Sequence, residues 1–230
     1  LVLDQLEPSA MAIAANDGVT NQGTVVMANF YPLIASEATS PLATKILVDC
    51  SGSMEGSSLK AAQRALRQIV QQFDSEDRFA LSRFGSTVEH PHADLMPATQ
   101  VCRAQAQSWI DALQADMGGT EMEEALLSTF ELDTTRSSDV LLITDGEIYQ
   151  VEETIQSARL SGHRIFAVGI GSSPAYAYLR RLADATGGAC EFVAPGEAVQ
   201  AAMMRMFARM RSPRLTQLQL QWPQGPQPQW

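Results

Sequence analysis

Basic residues are scarce. The 230-residue chain holds 16 Lys and Arg against 26 Asp and Glu, a net charge of −10. A nucleic-acid or anionic-membrane partner requires a basic face. The balance argues against both and is compatible with a cation. Cysteine is sparse too: Cys50, Cys102 and Cys190 are odd in number, far apart and without CxxC spacing. A disulfide framework or structural zinc site is therefore not expected. Buried reduced thiols are the plainer reading, and they lean toward a reducing, cytoplasmic compartment. A periplasmic or cell-surface location stays open. Histidine is limited to His90, His92 and His163, which leaves few bases for a Ser or Cys hydrolase. No run approaches the ~18–20 apolar residues of a membrane-spanning helix. No basic start followed by a long apolar run marks a secretory signal. An opening Leu1 in place of Met, and a closing "PQGPQPQW", give the expectation of a piece cut from a longer protein.

What is present is a regular alternation from residue 45 onward. "KILVD" is a short apolar run, as in a strand buried on both faces. Leu59, Ala62, Leu66, Ile69, Val70 and Phe73 share a helical face, with Ser57 and Ser58 as candidate N-caps. Strands are expected at 77–84, 139–144, 164–170 and 190–193, with a short edge strand in "TVEH". Helical stripes follow Cys102–Leu113, Met122–Phe130, Val151–Ala158, Ala175–Leu182 and Val199–Met210. The methionines of the last stripe have core spacing. Such alternation implies right-handed βαβ crossovers. The fold class is α/β: a Rossmann-like, doubly wound, mainly parallel central sheet with helices on both faces. Flanking strands come from the terminal segments. Residues 1–22 show little periodicity, though "NDG" signals a turn. The expected organisation is an extension over 1–42 with a strand about 24–31, a domain over 43–211, and a strand with a Pro/Gln-rich tail over 212–230.

In open α/β sheets, ligands bind at the carboxyl ends of strands, where the strand order switches. The first strand of the domain ends at Asp49, followed by Ser51 and Ser53. "TDGE" brings Thr144, Asp145 and Glu147 to the same rim, and "GGT" sets Thr120 just before a helix. All are oxygen donors, which suits a hard divalent ion: Mg²⁺, or else Mn²⁺ or Ca²⁺. Neutral hydroxyls leave such an ion electron-poor, so an open position favours an external carboxylate. A single Asp-Ser segment often only caps a helix. It is the co-occurrence of three segments that speaks for a site.

"DCSGS" resembles the D-x-S-x-S of von Willebrand factor A (vWA) domains, over about residues 43–211. The resemblance implies a metal-ion-dependent adhesion site. Ser51, Ser53 and Thr120 would bind the metal directly, and Asp49 and Asp145 largely through waters. "FGSTVE", "ADMGGTEM", "LLITDGEI", "VGIGSS", "CEFVAPGE" and "SPRLTQLQLQW" are similar to the vWA domains of proteins with an N-terminal VIT domain. Inter-alpha-trypsin inhibitor heavy chains and the von Willebrand domain-containing type-5 proteins belong to that group. An upstream VIT domain and a bacterial source are then expected. The implied function is divalent-cation-dependent protein binding, the ion coordinating an acidic residue of a partner, with no enzymatic activity. Two alternatives stand beside it: a metal-dependent, phosphoesterase-like hydrolase on the same rim, and a scaffold whose metal is structural only. "EHPHAD" reads as a solvated edge, and "GIGSS" is too short of the phosphate-loop pattern to count as one.

Overall fold

The "KILV" run becomes the centre of a sheet because neither of its faces meets water. The structure is a computed structural model and describes residues 11–16, 23–29, 41–134, 138–145, 151–170, 176–193 and 199–212. Two units divide the chain, Leu1–Thr39 and Ser40–Trp230. In the first, β1 (Met11–Asn16) pairs antiparallel with β2 (Thr24–Asn29), in a register running from Met11↔Asn29 to Asn16↔Thr24. β1 was not expected. "MAIAAN" is half alanine, which has little strand propensity, and it shows no polar–apolar alternation to reveal a strand. Residues 30 and 31 of the expected second strand lie outside the described residues.

The second unit follows the expected order with one strand, β6, added: β3 (Ala43–Asp49), α1 (Ser57–Gln71), β4 (Arg78–Phe84), β5 (Val88–Glu89), β6 (Met96–Pro97), α2 (Gln100–Asp111), α3 (Met122–Glu131), β7 (Asp139–Thr144), α4 (Val151–Ser161), β8 (Arg164–Ile170), α5 (Tyr176–Thr186), β9 (Ala189–Val193) and α6 (Val199–Met210). Among the described residues the sheet runs β5-β4-β3-β7-β8-β9, and β6 also pairs with β4. The β4-β3-β7-β8-β9 ladder is parallel, while β5 and β6 run antiparallel at the edge. Strand alternation sorts the core. Ile46, Val48, Leu141 and Ile143 pack with α1, α2 and α6, whereas Leu47, Val140 and Leu142 pack with α3, α4 and α5. Met203, Met206 and Met210 are core, as their spacing indicated. Each fully buried Leu or Ile contributes roughly 1.5–3 kcal/mol, so β3 and β7 form rigid ground for whatever stands at their ends.

The chain leaves β3 toward β4 on one side and later fills β7, β8 and β9 on the other. The strand order thus reverses between β3 and β7, and the crevice beyond their carboxyl ends is the topological switch point. One local expectation fails. Ser57 and Ser58 are not caps: the N-cap position of α1 is Gly56, with φ 90° and no side-chain cap bond. That left-handed φ suits glycine and would strain a serine there. The strand expected over 218–222 lies outside the described residues.

Candidate metal centre

Asp49 is the last residue of β3 and is fully buried. Beyond it the chain turns through a single 3₁₀ turn, Gly52–Met54, before α1. Asp49 Oδ1 accepts the Ser51 backbone N–H at 2.8 Å, and Oδ2 accepts the Thr144 hydroxyl. Ser51 Oγ lies 3.1 Å from Ser53 Oγ, and the Ser53 hydroxyl donates to Asp145 Oδ1 at 2.7 Å. Asp49, Ser51, Ser53 and Asp145, with Thr144, therefore form one hydrogen-bonded chain spanning the ends of β3 and β7. Ser51 is buried, Ser53 exposed and Asp145 half-buried, so the chain climbs from the core to the surface.

Thr120 reaches this rim by a different route. Its side chain is half-buried, and among the described residues its hydroxyl makes no hydrogen bond to the other four. Its backbone is woven in. Gly52 N–H donates to Gly118 O at 2.9 Å and Met117 N–H to Cys50 O at 3.1 Å, so the 117–118 segment lies along the loop that carries Ser51. Cys50 itself faces the core and is fully buried, with its thiol pushed up to about 12 by burial. Glu147 lies outside the described residues, as do Ser172 and Ser173.

Burial pushes the Asp49 carboxyl above its usual range; hydrogen bonds from Ser51 and Thr144 oppose the shift, and the Asp145 charge adds to it. Burial also raises Asp145, against the Ser53 hydroxyl and its own backbone. No Lys, Arg or His among the described residues forms an ion pair with either carboxylate. Two carboxylates, one of them fully buried, thus share a hydroxyl-lined site with no cation from the described residues. That donor set fits a hard divalent ion, for which Asp49, Ser51, Ser53, Thr120 and Asp145 are the candidate holders. Among the described residues no three His, Cys, Asp or Glu side chains converge, in keeping with a site built on hydroxyls.

Two features escaped the sequence. His90, read as part of a solvated edge, is half-buried: its Nδ1 lies 2.6 Å from Ser82 Oγ and its Nε2 2.9 Å from Ser128 Oγ. His92 and Asp94 are exposed, as expected. The turn after β4 also grips the Thr120 loop, through contacts no local pattern announces.

This fold and this rim belong together. The family model of the von Willebrand factor type A domain matches residues 44–192, and the chain belongs to that family. It is 26% identical over 213 residues to a von Willebrand factor A domain-containing protein of Dictyostelium discoideum, covering 88% of this chain and 10% of that protein. Similarity to the pig inter-alpha-trypsin inhibitor heavy chain H2 is 26% over 215 residues, covering 85% of this chain and 23% of the relative. The chain therefore spans about a quarter or less of the length of these relatives. Among solved structures, a von Willebrand factor type A protein from Catenulispora acidiphila superposes with a TM-score of 0.68 at 21% identity, covering 92% of this chain and 52% of that one. Proximal thread matrix protein 1 of the mussel byssus, solved with a zinc-occupied MIDAS motif, gives 0.59 at 16% identity, covering 75% and 46%. At those identities the structures speak for the fold alone.

Proposed function

We propose that residues 43–211 form a divalent-cation-dependent protein-binding module. Ser51, Ser53 and Thr120 hold the ion directly, and Asp49 and Asp145 hold it largely through water. The bound ion supplies a directional anchor for an Asp or Glu of a partner protein, and the surrounding loops select the partner. The observation that carries this reading is the pair of carboxylates, linked through Ser51 and Ser53, with no cation beside them among the described residues. Mg²⁺ is the proposed ion, with Mn²⁺ and Ca²⁺ as alternatives. The mussel protein's zinc-occupied motif adds zinc to the ions worth testing.

A binding role is favoured over hydrolysis by where the histidines stand. His90 is engaged by Ser82 and Ser128, and His163 lies 2.8 Å from Lys45 Nζ near the amino ends of β3 and β8. Neither serves the rim. We place the module in a longer protein, which the short coverage of its relatives supports, and propose that a VIT domain stands upstream.

The experiment is selection of binders from a displayed peptide library in Mg²⁺. Retained peptides are expected to carry an Asp or Glu whose change to Asn or Gln abolishes binding, and EDTA should release them. Binders indifferent to both EDTA and that change would refute the reading. Phosphoester turnover lost on Asp49→Asn would replace it with the hydrolase.

A further inference from the structure

The Thr120 loop carries two consecutive glycines, and Gly118 sits at φ 77°. Ordering a residue's backbone costs conformational entropy, and glycine loses the most. A Gly-Gly segment carrying a ligand whose own hydroxyl is not hydrogen-bonded would impose that cost on ion binding, unless something else holds it.

The turn after β4 does hold it. Ser86 Oγ accepts the Gly119 N–H at 2.8 Å, Ser86 N–H donates to Met117 O at 2.7 Å, and Glu121 N–H donates to Gly85 O at 2.8 Å. The two residues flanking Thr120, Gly119 and Glu121, are therefore both fixed by this turn. Packing is equally close. A Cβ on Gly85 would stand 2.4 Å from both Met117 Cβ and Met117 O, and one on Gly118 would stand 2.8 Å from Ser86 Oγ. The loop is tied a second time where Asp116 meets Arg83 of β4 at 3.1 Å, Arg83 also holding Glu89 of β5 at 2.8 Å.

We propose that Ser86, seated on the Gly85 backbone, is a positioning residue for Thr120. It pre-orders the 117–121 loop so that the Thr120 hydroxyl is available to the ion without a further ordering cost. The Ser86 side chain is exposed, so loss of its hydroxyl is expected to act on the loop and not on global stability. This inference rests on the ion-binding reading above.

The test is a double-mutant cycle on the full chain, read by calorimetric titration with Mg²⁺ and by amide exchange of residues 117–121 in EDTA. Ser86→Ala is expected to weaken Mg²⁺ binding about tenfold, the scale on which lost supporting hydrogen bonds lower metal affinity. Ser86→Thr, which keeps the hydroxyl, should restore most of it. In a Thr120→Ala background Ser86→Ala should add little further loss, because its effect passes through Thr120. In EDTA, Ser86→Ala should speed exchange at Gly119 and its neighbours while leaving the urea midpoint unchanged. Equal loss from Ser86→Ala in both backgrounds, or unchanged Mg²⁺ affinity with unchanged exchange, would overturn the proposal. Wild type that binds no ion would instead refute the ion-binding reading, and the exchange arm would still decide whether Ser86 orders the loop.

Discussion

The two ends of the sheet treat charge in opposite ways. At the amino end, Asp77 is buried and accepts from the Leu42 and Asp74 backbone N–H groups as well as from Arg211, and Asp139 of β7 pairs with Arg164 of β8, the Arg164 Nε standing 2.8 Å away. Lys45, fully buried within β3, donates to Phe130 O at 3.1 Å and meets His163. The two carboxylates each have an arginine inside the chain as counter-charge, and the Lys45 ammonium has a carbonyl and an imidazole beside it. Four residues further along the same strand, Asp49 is equally buried, yet its partners are a backbone N–H and a hydroxyl, and the charge that acts on it among the described residues is the Asp145 carboxylate. A closed amino end stabilises the fold. At the carboxyl end, none of the described residues pairs with the Asp49 charge, and the proposed ion is what would complete it.

The largest effect that would break this contrast is at Asp77. Removing one partner of a buried ion pair costs roughly 3–5 kcal/mol. Asp77→Ala should lower stability to urea by about that much and leave Mg²⁺ affinity intact; a change in affinity would mean the two ends are coupled. Asp49→Asn should do the reverse. Ion affinity should fall at least about a hundredfold, the upper scale for losing a ligand's supporting group. The ion-free protein should be as stable as wild type or more so, by up to about 1 kcal/mol, since a buried charge beside Asp145 is gone. A marked loss of ion-free stability would say that the Asp49 charge is structural.

Lys45 supplies a smaller test, read through pH. Burial pushes its ammonium down from 10.5 to about 8, with Asp133 opposing. The folded state then holds fewer protons than the unfolded one between about 8 and 10.5, so the cost of burying the charge is present below that window and relieved as pH rises through it. Wild-type stability relative to Lys45→Met should therefore climb by the order of 2 kcal/mol across the window. Parallel curves would show that the Lys45 proton is bound equally in both states. Ion affinity should be the same in the two proteins at neutral pH.

How far the sequence revealed this molecule follows from the range of the contacts involved. β3, β4, β7 and β8 were legible because each is a short apolar run, and the helices because their stripes repeat at the helical period. The candidate ligands were legible because Asp49, Ser51 and Ser53 are adjacent in the chain and Asp145 ends another such run. β1 was hidden by its alanines, and the cap of α1 by two serines that looked apt beside a glycine whose φ no sequence pattern states. Lys45 passed as the polar start of a strand because only the folded chain brings Phe130 and His163 to its ammonium. Ser86 and Gly85 were quoted for their likeness to a family and not for a role, since the loop they grip lies some thirty residues on.

A divalent ion is proposed to complete the carboxyl end of β3. Calorimetric titration of the full chain with Mg²⁺, repeated with Mn²⁺, Ca²⁺ and Zn²⁺, tests it most directly. One saturable ion per chain is expected, retained in Asp77→Ala and lost in Asp49→Asn; an ion present at about a hundred times its Kd should also stabilise the fold by about 2.7 kcal/mol. Absence of a saturable isotherm with all four ions, or an isotherm that survives Asp49→Asn unchanged, would contradict the account.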